Sequence, residues 1–255
     1  MAMRRANQRE LPGTDGARRR VRIPTGHGGT RAGAGRKRTL RGRPRGKHRA
    51  RPFHDRRLPV HVVLRVTQEV GRLRRHKAYQ AVRAAMIALV GRVGFRVVHL
   101  SIQRHHIHLL VEAADRRALA NGVRALCISA AKRLNAVVSA ERGAVRRGRV
   151  FTDRYHATPI TGPRQARHAL AYVLNNWRRH HEDHAGVGQR RAPIDRYASG
   201  VAFVGWAERE GVPFTWPKGY EPMPTAAPAT WLLRVGWKRG GPALSLWERP
   251  GPLAA

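Results

Sequence analysis

Between Leu58 and His180 the apolar residues switch repeatedly between the two-residue period of a strand and the 3.6-residue period of a helix. The order of those switches leaves few folds open. Pro59 to Val66 (PVHVVLRV) is rich in β-branched residues and reads as a strand. Lys77 to Val93 places Ala78, Val82, Ala85, Met86, Leu89 and Val93 at helical spacing, with Gly94 as a stop. Phe95 to Ile102 and His106 to Glu112 read as two strands, and Gln103-Arg104-His105 between them is short enough for a hairpin. Asp115 can cap a long helix through Ala118, Val123, Leu126, Ala130 and Leu134 to about Ser139. Arg149 to Ile160 reads as a fourth strand. Thr161 or Gly162 then opens a helix through Ala166, Leu170, Val173 and Trp177. The order β-α-β-β-α-β plus a further helix predicts an α+β chain: a ferredoxin-like antiparallel sheet with helices on one face, followed by a helix that carries a tyrosine.

The flanks have a different texture. Residues 1–58 hold 19 Lys/Arg against 3 Asp/Glu, with 9 Gly, 4 Pro and no apolar periodicity. Such a segment cannot bury enough apolar surface to offset its ordering entropy, so residues 1–57 read as a disordered basic arm. Within it, Arg41-Gly42-Arg43-Pro44-Arg45 resembles an AT-hook, whose arginines lie in the narrow minor groove of A·T-rich duplex. A generic tail that touches phosphates is the blander reading of Arg41, Arg43 and Arg45, and arginine-rich sequence produces such patterns easily. After residue 184 the pattern weakens, and five of the six tryptophans follow: Trp206, Trp216, Trp231, Trp237 and Trp247. The expected organisation is an arm (1–57), a folded domain (58–184) and an appended module (185–255) with a small aromatic core and a short helix near Thr230 to Lys238.

Charge selects the partner class. With 51 Lys/Arg, 15 Asp/Glu and a formal net charge of +36, the chain needs a polyanion to neutralise it, most commonly nucleic acid. A membrane surface is the other polyanion, but the longest apolar run, Ala84 to Val90, falls well short of the roughly 18 residues of a bilayer span. The first twenty residues contain six arginines and no apolar stretch of the kind that marks a secretory signal. A single cysteine, Cys127, rules out both a disulfide framework and a multi-cysteine zinc site. A reducing, cytoplasmic setting is expected.

Two local patterns can carry chemistry. In His106-Ile107-His108 the two imidazoles project from the same face of a strand, where a pair can hold a divalent cation. By itself such a pair is weak, because a chain with 14 histidines produces H-x-H by chance and solvated histidines on a phosphate-binding face look the same. Tyr172 and Asn176 lie a turn apart on one helix face, with His168 a turn before them. A tyrosine packing its ring at a helix–sheet boundary would look no different.

Together with the element order, these patterns resemble the single-tyrosine HUH transposases, in particular their REP-associated branch. The residues that carry the likeness are Arg104-His105-His106-Ile107-His108-Leu109-Leu110, Gly148-Arg149-Val150-Phe151-Thr152-Asp153-Arg154-Tyr155 and Ala171-Tyr172-Val173-Leu174-Asn175-Asn176-Trp177. The resemblance spans roughly residues 58 to 184. It implies that His106, His108 and the side-chain oxygen of Asn176 hold one Mg²⁺ or Mn²⁺ against a scissile phosphate of single-stranded DNA, and that Tyr172 attacks it. The products would be a 5′-phosphotyrosine and a free 3′-hydroxyl, which can be resealed without ATP. A free phenol titrates near pH 10, so its anion needs stabilising; Arg164, Arg179 and the metal are the candidates. His168 is a weak candidate for a general base. Tyr155 is the competing nucleophile, although an aromatic there more simply stacks a base, and Arg149 and Arg154 beside it are expected to follow the DNA backbone.

The family also implies hairpins with single-stranded flanks as targets, and either a monomer or a homodimer. Two positions depart from its pattern: His105 stands where Asn is common, and Trp177 where Pro is common. Neither removes a functional group, and strand parity sends His105 to the opposite face from His106 and His108. The alternative reading is a non-catalytic, domesticated nucleic-acid-binding protein, in which at least one of His106, His108, Tyr172 and Asn176 would be expected to be lost. A ribosomal-type RNA binder explains the charge but not this constellation.

Overall fold

A computed structural model describes residues 55–184, 192–208 and 218–251. The basic arm with Arg41, Arg43 and Arg45 lies outside the described residues, as does Trp216. The elements follow the expected order: β1 (Val60–Arg65), α1 (His76–Ile87), β2 (Phe95–Ile102), β3 (His106–Ala113), α2 (Arg116–Arg142), β4 (His156–Pro159) and α3 (Pro163–Arg179), with a short α4 (Trp231–Arg234) near the C-terminus. The strands form one antiparallel sheet in the order β2-β3-β1-β4. The fold is α+β and ferredoxin-like.

Parity along the central strands divides the core in two. Val60, Val62 and Leu64 of β1 and Ile107, Leu109 and Val111 of β3 pack against α1 and α2. Leu110 and Val98 point the other way, into a second core with Ala166, Leu170 and Val173 of α3 and with Phe203, Trp206, Leu233, Trp237 and Leu244. Burial on both faces explains why β3 reads as a nearly continuous apolar run. It also makes each polar residue on the α3 side conspicuous.

Local chemistry sets the element ends. The Asp115 side chain accepts from the Ala118 amide at 2.7 Å, capping α2, and Gly143 in the left-handed region stops it. Helix α1 ends at Ile87, before the expected Val93, because the chain turns through Gly91 (φ 79°) and Gly94 (φ 72°) and leaves Val93 96% exposed. The fourth strand is shorter than Arg149–Ile160. Val63 pairs with His156 while Val66 bridges to Phe151, so three steps on β1 face five on its neighbour. The two extra residues interrupt the ladder as a bulge at this sheet edge.

Candidate active site

The α3-facing side of the sheet gathers histidines. In the β1–β3 register, His61, Val63 and Arg65 stand opposite Leu110, His108 and His106, which places them on one face. The His106 and His108 rings lie 4.6 Å apart between centroids. Tyr172 of α3 stands over them, its ring 5.1 Å from His108 and 6.0 Å from His61. Asn176, one turn on, is fully buried, and neither its Oδ1 nor its Nδ2 has a hydrogen-bond partner. The Nε2 of His108 is likewise buried and unpartnered. Unsatisfied buried polar atoms are rare because each costs about 1–3 kcal/mol. Two such side chains beside the sequence-predicted nucleophile fit a group that accepts lone pairs, which is what a divalent cation does.

The electrostatics suit that role. Burial pushes His106 down to about 4, helped by His180, Arg65 and His105, and pushes His61 to about 4 with help from His156. Burial also holds His108 well below the ordinary histidine value, reinforced by His61 and His106. The imidazoles are therefore neutral near pH 7, the protonation state in which a ring nitrogen can ligate a metal. Among the described residues no three His, Cys, Asp or Glu side chains are grouped to hold a metal. The unpartnered polar atoms in this region are His108 Nε2 and the two amide atoms of Asn176.

The other sequence-predicted residues divide clearly. The Arg179 guanidinium lies 5.7 Å from the centre of the Tyr172 ring and also donates to the Pro250 carbonyl at 3.3 Å. Arg164, in the first turn of α3, and His168 are exposed. Arg149 and Arg154 are exposed near the bulge, where Arg149 donates to the Phe151 carbonyl at 2.6 Å. Tyr155 packs against the α1–α2 core, on the sheet face opposite the histidines. His105 is exposed in the hairpin connection.

Three features went unread in the sequence. His61 is a buried histidine whose Nε2 lies 3.1 Å from Nδ1 of His108, and the signal was a polar residue between the valines of the strand VHVVLR. Arg65 pairs with His106 across the ladder and carries positive charge to the rim of the site. The far side of α3 is gripped by the C-terminal segment: Arg167 donates to Pro242 at 2.6 Å and to both Glu248 oxygens, at 2.9 and 2.8 Å, Asn175 to Ser245 at 2.9 Å, and Arg178 to Leu246 at 2.8 Å. These contacts hold the face of α3 that does not carry Tyr172.

Known proteins similar to this chain are transposases. The family profile described as IS200-like transposase matches residues 55–176. Over that span, just under half of the chain, the sequence is similar to the IS200-like transposases. Similar solved structures include a REP-associated tyrosine transposase bound to a REP hairpin, at 16% identity and a TM-score of 0.38, covering 52% of this chain and 73% of that one. Another is a candidate transposase from Deinococcus radiodurans, at 15% identity and a TM-score of 0.34, covering 44% of this chain and 85% of that one. No curated protein matches the chain. Among the described residues no helix is long and apolar enough to cross a membrane.

Proposed function

We propose that the protein is a metal-dependent single-strand DNA endonuclease and strand transferase of the REP-associated type, acting at hairpin-flanked sites with Tyr172 as the nucleophile. One observation carries the reading. Nε2 of His108 on the sheet, next to a second neutral imidazole, His106, and both amide atoms of Asn176 on the helix that carries Tyr172 are buried without a partner. His106, His108 and Asn176 Oδ1 would hold Mn²⁺ or Mg²⁺, and two nitrogen donors suit Mn²⁺ better. When bound, the ion supplies charge to polarise the scissile phosphate.

This chain's own residues do the rest. Tyr172 gives up its phenolic proton and its oxygen bonds to phosphorus as the P–O3′ bond breaks, leaving a 5′-phosphotyrosine; the released 3′-oxygen takes up a proton. Attack by a new 3′-hydroxyl reverses these steps, rejoining the strand and returning the proton to the phenol. Arg179, beside the Tyr172 ring, offsets the charge of the phenolate. Arg65, Arg149, Arg154 and Arg164, all exposed, are available to the DNA backbone, with the arm and its Arg41, Arg43 and Arg45 adding salt-sensitive attachment. Tyr155, on the other face, fits a contact to DNA bases or packing, not attack.

The test is to incubate the protein and Mn²⁺ with end-labelled single-stranded DNA carrying the hairpins that flank its own gene. A covalent adduct that survives denaturation is expected from wild type and from Tyr155→Phe, and none from Tyr172→Phe. No adduct from wild type across a range of flanking sequences overturns the enzymatic reading in favour of a non-catalytic DNA binder.

A further inference from the structure

Beside the candidate ligands lies a residue with no assigned part, His61. It is 7% exposed, and its Nε2 sits 3.1 Å from Nδ1 of His108. The two ring planes differ by only 11° with centroids 5.2 Å apart. That separation is too long for face-to-face stacking, but it equals about two ring radii plus a hydrogen bond of roughly 3 Å between coplanar rings. The contact is an in-plane N–H···N bond, so exactly one of the two nitrogens carries the proton.

The two possible assignments have different consequences. If His61 donates, neutral His108 must carry its own proton on Nε2. That nitrogen is buried without a partner, so the result is an orphaned N–H, the rarer and costlier of buried defects, and no lone pair faces the site. If His108 donates from Nδ1, its Nε2 keeps a bare lone pair and His61 accepts through Nε2. Only this second arrangement leaves His108 able to bind a cation, and it is the outer-contact pattern general to metal-binding histidines.

We infer that His61 is a positioning residue: by accepting the Nδ1 proton of His108 it fixes the tautomer and ring plane that leave a bare lone pair on the buried Nε2 of His108. The use of that lone pair for a metal rests on the function proposed above; the tautomer does not. The placement follows from register, because His61 stands opposite Leu110, one position along the same-face row from His108. A phenylalanine could fill the space but not accept the proton, whereas a glutamine could accept it through its side-chain oxygen.

The experiment uses the full chain labelled with ¹⁵N-histidine. Long-range ¹H–¹⁵N spectra of the metal-free protein should show His108 protonated on Nδ1 and bare on Nε2; protonation on Nε2 overturns the inference. Mn²⁺ titrations followed by electron paramagnetic resonance should show His61→Phe binding the ion about 10- to 100-fold more weakly than wild type, and His61→Gln within a few-fold of it. Melting curves in EDTA confirm that the variants compared are folded. A folded His61→Phe that binds Mn²⁺ like wild type overturns the inference, as does a His61→Gln as weak as His61→Phe. If the tautomer is as stated but wild type binds no Mn²⁺, the metal reading falls while the His61–His108 assignment stands.

Discussion

The Tyr172 ring stands at 90° to the His108 imidazole with centroids 5.1 Å apart, which ties the tyrosine helix α3 to the central strand β3 at the candidate site. The contact belongs to the ring and not to the hydroxyl. Tyr172→Phe should therefore fold as wild type, within about 0.5 kcal/mol in urea denaturation, while forming no covalent DNA adduct. A large loss of stability would show that the hydroxyl is structural.

Asn176 is where stability and function pull apart. A buried amide with neither atom bonded weakens the metal-free fold, and an apolar side chain of similar volume removes that penalty. Asn176→Leu should raise metal-free stability by about 1 kcal/mol and abolish tight Mn²⁺ binding, with thermal melting in EDTA and calorimetric titration as the two readouts. A destabilised variant that still binds Mn²⁺ would give Asn176 a packing role only.

The element order was legible because periodicity is local: the Asp115 cap and the apolar rows of α2 and α3 lie within a few residues of one another. His106, His108, Tyr172 and Asn176 stood out as candidates because each pair shares a strand or helix face at short spacing, but only the resemblance to HUH transposases gave them roles. His61 was not, since its significance depends on the pairing of β1 with β3, which no local pattern specifies. The early end of α1 and the break in the fourth strand were missed for a related reason. Two glycines with positive φ and a two-residue bulge override runs that still look helical or extended.

Arg74 and Asp195 form a bidentate pair at 2.8 Å on both contacts, with side chains 4% and 1% exposed, and Arg74 also donates to the Ile102 carbonyl at 2.9 Å. Removing Asp195 leaves the buried Arg74 only a longer ion pair, to Glu182 at 3.6 Å. Asp195→Ala should cost about 3–5 kcal/mol in chemical denaturation. A cost below 1 kcal/mol would mean that water reaches Arg74.

His99 makes stability depend on pH. The Ser199 hydroxyl accepts from the Leu100 amide at 2.9 Å, so its own proton is free to go to Nδ1 of His99 at 3.2 Å, a bond that requires neutral imidazole. Burial pushes His99 from the ordinary 6.5 to about 4. Between those values the unfolded chain binds a proton that the folded chain does not. Its contribution is thus fully present above about pH 6.5 and lost as the pH falls towards 4, on the order of 3 kcal/mol. His61 and His106 add in the same direction. The stability–pH curve of His99→Gln should be flatter than that of wild type over this window, and an unchanged slope would refute the assignment.

Gly240 marks where the C-terminal segment meets α3. A Cβ built there would lie 2.3 Å from the Pro163 carbonyl oxygen and 2.8 Å from the Arg164 Cα, and backbone atoms cannot rotate out of the way. Gly240→Ala must push residues 236–241 off the first turn of the helix that carries Tyr172, at a cost of about 1–3 kcal/mol. Gly251→Ala, with nothing within 4 Å of its Cβ, is the matched control and should be neutral. Because Arg167, Asn175 and Arg178 bind the segment just beyond Gly240, its displacement should also open residues 242–250 to proteolysis. Limited digestion of the two variants separates this from a purely local clash: a Gly240→Ala protein that loses stability yet resists cleavage there would confine the strain to the loop.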